Sequence, residues 1–128
     1  MRVWLFSFFA PFLVAQSPSI TSVINSANFT PNVASSSIVS IFGAGFGTGV
    51  SVGSTTNPSP ASLGGVTVQF CFSAQANSCN PATLLFVSKT QINAVLPFQA
   101  GLYGSKTMYL TVTVGAVTTP FYSLKVYE

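Results

Sequence analysis

Residues that could perform acid–base or metal chemistry are almost absent from this chain of 128 residues. It contains no histidine and no aspartate, and its single acidic residue is Glu128 at the C-terminus. General acid–base catalysis most often uses histidine or a tuned carboxylate, and a metal site needs several such ligands. Ser88 and Lys89 are adjacent, so on a strand their side chains point to opposite faces and cannot form a Ser-Lys dyad. The sequence therefore predicts a protein that is not an enzyme and that has neither a cofactor nor a metal.

A glycine-rich stretch, VSIFGAGFGTG at residues 39–49, is the one segment that resembles a phosphate-binding loop. Such a loop connects a strand to a helix, whose N-terminal amides face the anion. This stretch has no lysine, and it is followed by VSVGS and then by prolines, which do not begin a helix. We therefore predict a structural turn formed by Gly43, Gly45, Phe46 and Gly47, in which glycine allows positive φ and Phe46 folds the loop back onto the protein.

The two cysteines, Cys71 and Cys79, flank the polar segment FSAQANS. In an oxidising compartment, cysteines at this spacing are expected to form a disulfide that closes a hairpin. Two free thiols are the alternative.

The first 15 residues have the pattern of a secretory signal peptide. Arg2 precedes an apolar run at residues 3–14, and Ala15 is a small residue before Gln16. The apolar run is too short for a comfortable membrane span, although a buried N-terminal strand or an uncleaved anchor remains an alternative. The expected organisation is thus a signal peptide at 1–15 and one domain at 16–128, with no stable membrane span after cleavage and with a secreted or cell-surface location.

Short apolar runs separated by turn residues dominate the rest of the chain, with no amphipathic helix of credible length. The predicted strands are residues 20–23, 37–42, 66–72, 84–87, 92–96, 108–114 and 121–127. In the third, Val66, Val68, Phe70 and Phe72 alternate with other residues and should face a core. Residues 48–65 are rich in Gly, Ser, Thr, Asn and Pro, which predicts a long loop without secondary structure. About seven short strands indicate an all-β protein, an immunoglobulin-like β-sandwich.

Charged residues make up only 4% of the chain, and the formal net charge is +3. Nucleic-acid binding needs lysine and arginine clustered on one face, whereas the four basic residues here are dispersed. The sequence therefore predicts no nucleic-acid partner.

Four motifs in order, VINSANF, IVSIFGAGF, SLGGVTVQF and LLFVSKTQINAVLPF, resemble an uncharacterised C-terminal domain of secreted proteins from Solibacter and other acidobacteria. That domain is similar to the IPT/TIG group of immunoglobulin-like domains. The resemblance implies an extracellular accessory role in a bacterium and supplies no catalytic residues. One departure is that the usual Pro-Gly before the second strand is replaced here by Ala34-Ser35-Ser36.

The expected function is that of a non-catalytic module for protein–protein or cell-surface interaction. The alternatives are a self-assembling filament or coat subunit and a carbohydrate-binding module, so the expected partner is a protein (self or cell-surface) or a polysaccharide. Because charge is sparse, contact should depend on strand pairing at an exposed edge and on uncharged side chains. The predicted interaction surface lies on the last two strands, at Tyr109, Thr111, Thr113 and Tyr127.

Overall fold

The structure, a computed structural model, describes residues 17–47, 51–56, 59–97 and 106–127, and the predicted signal peptide lies outside them. These residues contain twelve strands, one short 3-10 turn at Ala76–Ser78 and no α-helix. The strands are β1 Ser19–Asn25, β2 Val33–Ala34, β3 Ile38–Ala44, β4 Val52–Gly53, β5 Ser62–Leu63, β6 Val66–Cys71, β7 Cys79–Pro81, β8 Thr83–Val87, β9 Gln91–Val95, β10 Lys106–Val114, β11 Val117–Thr118 and β12 Tyr122–Tyr127.

The strands form two sheets. The first has the order β1-β3-β9-β8-β4, and the second has the order β2-β12-β10-β6-β5, with β11 paired to β10 and β7 paired to β6. Neighbouring strands are antiparallel except β12 and β2, which run parallel. The second sheet therefore pairs the second strand of the described chain with the last one, β12.

One continuous apolar core lies between the sheets. Val39, Ile41 and Ile92 of the first sheet and Val68 and Leu110 of the second are all fully buried in the same cluster. Burial of such side chains contributes about 1.5–3 kcal/mol each. The chain is thus all-β, with two sheets in an arrangement consistent with a β-sandwich, as the sequence predicted.

The seven predicted strands correspond to the seven longest observed ones, but residues 48–65 are not a loop without secondary structure. Within the described part of this segment, β4 pairs with β8, and β5 pairs with β6. Gly64 and Gly65 both have positive φ (59° and 78°) and form the two-residue turn between β5 and β6. Two glycines in this conformation favour a tight hairpin, which explains why a segment with little strand propensity still pairs.

Phe72 does not face the core. The strand ends at Cys71, and Phe72 is 39% exposed, whereas Val66, Val68 and Phe70 are buried as predicted. Cys71 lies on the opposite face from these three residues and is nevertheless fully buried. The alternation therefore holds for the strand and fails where the chain turns into the disulfide hairpin.

The glycines of the predicted turn have different roles. Gly43 lies inside β3, where an added Cβ would overlap the carbonyl oxygen of Ser19 and come within 2.6 Å of Phe46 Cζ. Gly45 has a φ of 74°, whereas nothing lies within 4 Å of a Cβ added to Gly47. Phe46 is fully buried, and its amide N–H donates to the carbonyl oxygen of Lys89 (3.0 Å). Close approach at Gly43 and positive φ at Gly45 thus allow Phe46 to enter the core.

Candidate functional site

A cleft of about 590 Å³ lies on the outer face of the second sheet, away from the core. We call it the threonine cleft. Its lining residues are Gln69, Ala76, Cys79, Pro81, Thr111, Thr113, Thr118, Thr119 and Phe121. None of these side chains is charged, and the volume is in the range of small-ligand sites.

The floor of the cleft is formed by two paired strands, β6 and β10. Gln69 and Thr111 are directly opposite each other in the antiparallel register, and Thr113 is opposite Thr67. Because alternate residues of a strand point to opposite faces, burying Val68 and Val112 in the core places Gln69, Thr111 and Thr113 on the outer face. The alternation that directs the apolar side chains of β6 and β10 into the core therefore directs their polar side chains to the floor of the cleft.

One wall of the cleft is the hairpin that contains the two cysteines. Cys71 and Cys79 are opposite each other in the β6–β7 register and form a disulfide, which confirms the predicted pairing. Ser78 Oγ holds the hairpin turn together, since it accepts from the amide of Ser73 (3.1 Å) and lies 2.9 Å from the carbonyl oxygen of Gln75. The disulfide thus fixes a wall of the cleft as well as a hairpin.

The opposite wall is the connection from β11 to β12. Thr119 is buried, and its side-chain oxygen accepts from the amide of Val112 (3.0 Å) while its own amide donates to the carbonyl oxygen of Val112 (2.9 Å). Thr113 and Thr118 share a hydrogen bond between their hydroxyls (2.8 Å). Phe121 completes this wall and is 40% exposed.

Two polar groups of the floor have no hydrogen-bond partner in the described part of the chain. The Thr111 side chain lines the cleft although Thr111 is only 6% exposed, and its hydroxyl makes no hydrogen bond to a described residue. The side-chain amide of Gln69, opposite it, also makes none. A buried hydroxyl left without a partner costs about 1–3 kcal/mol. The cleft therefore offers hydrogen-bonding groups that the rest of the described protein does not use.

The predicted interaction surface is divided between two places. Thr111 and Thr113 line the threonine cleft, and Tyr109 lies next to it, with its ring 6.4 Å from that of Phe121 at an interplanar angle of 88°. Tyr127 is 41% exposed but borders a different depression of about 400 Å³, together with Asn32, Val33 and Ala34. Thr111 is on the outer face, as predicted, but little of its surface is exposed because the two walls of the cleft cover it.

The prediction that the last two strands offer an exposed edge is wrong for β10. It pairs with β6 along one side and with both β12 and β11 along the other, so it is an interior strand. β12 pairs with β2 only at Val126 and Tyr127, which leaves residues 122–125 without a strand neighbour on that side among the described residues. A partner strand could add at β12 and not at β10.

Sequence reasoning did not identify Gln69, Thr118, Thr119 or Phe121 as site residues. The alternation of β6 does place Gln69 on the outer face, but the local sequence of β6 does not show which strand lies beside it. Thr118 and Thr119 lie outside the predicted strands, so they carried no pattern that pointed to a site.

Other kinds of site have less support. Across the described ranges there is no group of three or more His, Cys, Asp or Glu residues that could hold a metal ion. No helix in those ranges is long and apolar enough to cross a membrane. Comparison with known protein families and with curated proteins finds no match to this chain.

Proposed function

We propose that this protein is a non-catalytic, secreted immunoglobulin-like module that binds a protein or cell-surface partner through the threonine cleft. The observation that carries the proposal is the buried Thr111 side chain, which lines the cleft and whose hydroxyl has no hydrogen-bond partner in the described chain. A binding site presents such groups to a ligand, whereas a purely structural surface exposes its polar groups to bulk water or pairs them.

The strand order supports the immunoglobulin-like part of this proposal. When the seven longest strands are lettered A to G along the chain, the first sheet has the order A-B-E-D and the second has the order G-F-C. Constant-type immunoglobulin domains have this division of strands between sheets. The motifs that resemble the acidobacterial secreted domain, similar to the IPT/TIG group, agree with this arrangement.

Secretion is the proposed location because of the signal-like N-terminus and the disulfide. Disulfides persist in oxidising compartments and are rare in the cytosol of most organisms. Cys71 and Cys79 are paired, and no described cysteine is free.

Binding of the labelled mature chain to envelope fractions of the producing bacterium tests the proposal. Thr113→Lys puts a charge and a long side chain into the cleft, so it should weaken binding about tenfold or more. Thr107→Lys is the matched control, since Thr107 is exposed on the same strand and does not line the cleft. Raising salt from about 0.1 to 0.5 M should change wild-type binding little, because none of the described side chains that line the cleft is charged. Equal binding of the two variants would place the contact surface elsewhere.

Self-assembly is a second candidate, favoured by β1. This strand pairs only with β3 among the described strands and carries no charge, so its other edge could accept a strand from a second copy. A bulge at Thr21, whose hydroxyl donates to the carbonyl oxygen of Phe42 (3.0 Å), bends the edge and works against such pairing. Light scattering tests this candidate. If the protein self-assembles, the measured mass of the wild type should rise with concentration, and Ser22→Lys should have the mass of a monomer. A wild type that is monomeric at all concentrations would exclude self-assembly.

A further inference from the structure

We infer that the ligand of the threonine cleft is a neutral saccharide. This inference rests on the proposed function, because it names the chemistry of the cell-surface partner that the cleft would bind. The groups that the cleft offers are the Thr111 hydroxyl, the Gln69 amide and the Thr113–Thr118 hydroxyl pair, with Phe121 at one side.

The described residues that line the cleft carry no charge, which argues against an anionic ligand. Phosphate and carboxylate groups are bound by arginine, lysine or a helix N-terminus. The nine lining residues include no arginine, lysine or histidine, and the described part of the chain has no α-helix. A phosphorylated or acidic ligand would therefore be desolvated at this site without compensation.

The position of the cleft argues against the common ways of binding a peptide. Strand addition needs an open sheet edge, whereas the floor strands β6 and β10 are paired with each other and flanked by further strands. A helix needs an apolar groove, and a proline-rich segment needs a groove lined by aromatic rings. This floor is threonine and glutamine, and Phe121 is the one aromatic residue among the described residues that line the cleft.

Sugar hydroxyls match the polar groups of the floor. A threonine hydroxyl both donates and accepts, and a glutamine side chain offers two donors and an acceptor. A sugar hydroxyl has the same dual capacity, so it can satisfy the Thr111 hydroxyl and the Gln69 amide in either direction. These two residues lie directly opposite each other across the β6–β10 pair, so neighbouring hydroxyls of one sugar ring could reach both.

The aromatic side of the cleft offers an apolar surface for the C–H groups of a sugar. Tyr109 meets Phe121 in an edge-to-face arrangement, 6.4 Å between ring centres. Such pairs are favourable and orient the rings. Phe121 keeps two fifths of its surface exposed while it is held in this position, so an ordered ring borders the hydrogen-bonding floor.

The test is titration of the mature, disulfide-bonded chain with neutral oligosaccharides (cellopentaose, xylopentaose, laminaripentaose and mannopentaose), with pentagalacturonate as the acidic comparison. Binding is followed by nuclear magnetic resonance shifts of the backbone amides. We expect at least one neutral oligosaccharide to bind with a Kd of about 1 mM or tighter and to shift the amides of Gln69, Thr111 and Thr113.

Two variants separate binding from stability. Thr111→Val keeps the shape of the side chain and removes the hydroxyl, so it should weaken saccharide binding about tenfold while leaving the urea midpoint unchanged or higher. Thr107→Val, at an exposed position of the same strand outside the cleft, should leave binding unchanged.

The inference is overturned if no neutral oligosaccharide binds, if only pentagalacturonate binds, or if Thr111→Val binds as tightly as the wild type. Failure here can be told apart from failure of the proposed function. If Thr113→Lys abolishes envelope binding but excess oligosaccharide does not compete with that binding, the ligand in the cleft is a protein. If Thr113→Lys binds the envelope as tightly as the wild type does, the proposed function itself is overturned.

Discussion

Replacing Ser36 by glycine should stabilise this protein. Ser36 has a φ of 63°, a left-handed conformation that a residue with a Cβ rarely adopts. The carbonyl oxygen of Ala34 accepts hydrogen bonds from both the amide N–H (3.2 Å) and the hydroxyl (2.6 Å) of Ser37. Ala34 to Ser37 thus form a turn with positive φ at its third residue, as a type II turn requires. Glycine is the residue that fits this position best.

The expected gain follows from two opposing effects. A left-handed conformation costs a residue with a Cβ about 1–2 kcal/mol, and glycine avoids that cost. Glycine also gives the unfolded chain more freedom, which opposes folding by about 0.4–1 kcal/mol. The net stabilisation should be about 0.5–1 kcal/mol. For a domain of this size, that gain raises Tm by roughly 2–4 °C.

The neighbouring serine supplies the control. Ser35 belongs to the same turn but is not among the residues with positive φ, so Ser35→Gly should destabilise by about 0.4–1 kcal/mol. Urea unfolding of the two variants and the wild type, monitored by circular dichroism, measures both changes. A stability of Ser36→Gly that is equal to or below that of Ser35→Gly would refute the conformational reasoning.

Three further predictions concern the cysteines, the glycine stretch and the N-terminus. Reduction of the Cys71–Cys79 disulfide, which closes a sequence separation of 8, should lower the free energy of unfolding by about 2.5 kcal/mol, measured by urea unfolding with and without reductant. An unchanged midpoint would contradict this. Gly43→Ala should cost about 1–3 kcal/mol through overpacking against Ser19 and Phe46, and Gly47→Ala, with no neighbour within 4 Å of the new Cβ, should cost far less in the same assay. Mass spectrometry of extracellular protein should find an N-terminus near Gln16, and an intact Met1 would contradict signal cleavage.

The strands at residues 66–72, 108–114 and 121–127 were predictable because their apolar residues alternate over five or more positions. Met108, Leu110 and Val112 are buried as the period of two requires. The shorter strands β2, β4, β5, β7 and β11 have only two or three residues each. Their pairing depends on turn geometry and on which strand lies alongside, and neither is encoded in so short a run.

The candidate site was only partly predictable. Alternation places Thr111 and Thr113 on the outer face, and both line the cleft. The burial of Thr111 could not be predicted, because it depends on a hairpin more than 30 residues earlier in the chain and on a connection after β11 that together cover the face. The interior position of β10 likewise follows from pairing between distant segments, which the local sequence of β10 does not indicate.

The order in which the strands of the two sheets follow one another along the chain has a consequence for how the protein is made. All five strands of the first sheet lie before residue 96, whereas the second sheet needs β10 and β12, which lie after residue 105. During synthesis, the apolar inner face of the first sheet cannot be fully covered until β10 and β12 have left the ribosome or the secretion channel. Contacts of such high sequence separation form slowly, and exposed apolar sheet surface favours aggregation. The chain should therefore depend most on chaperones in the interval just before β10 and β12 emerge.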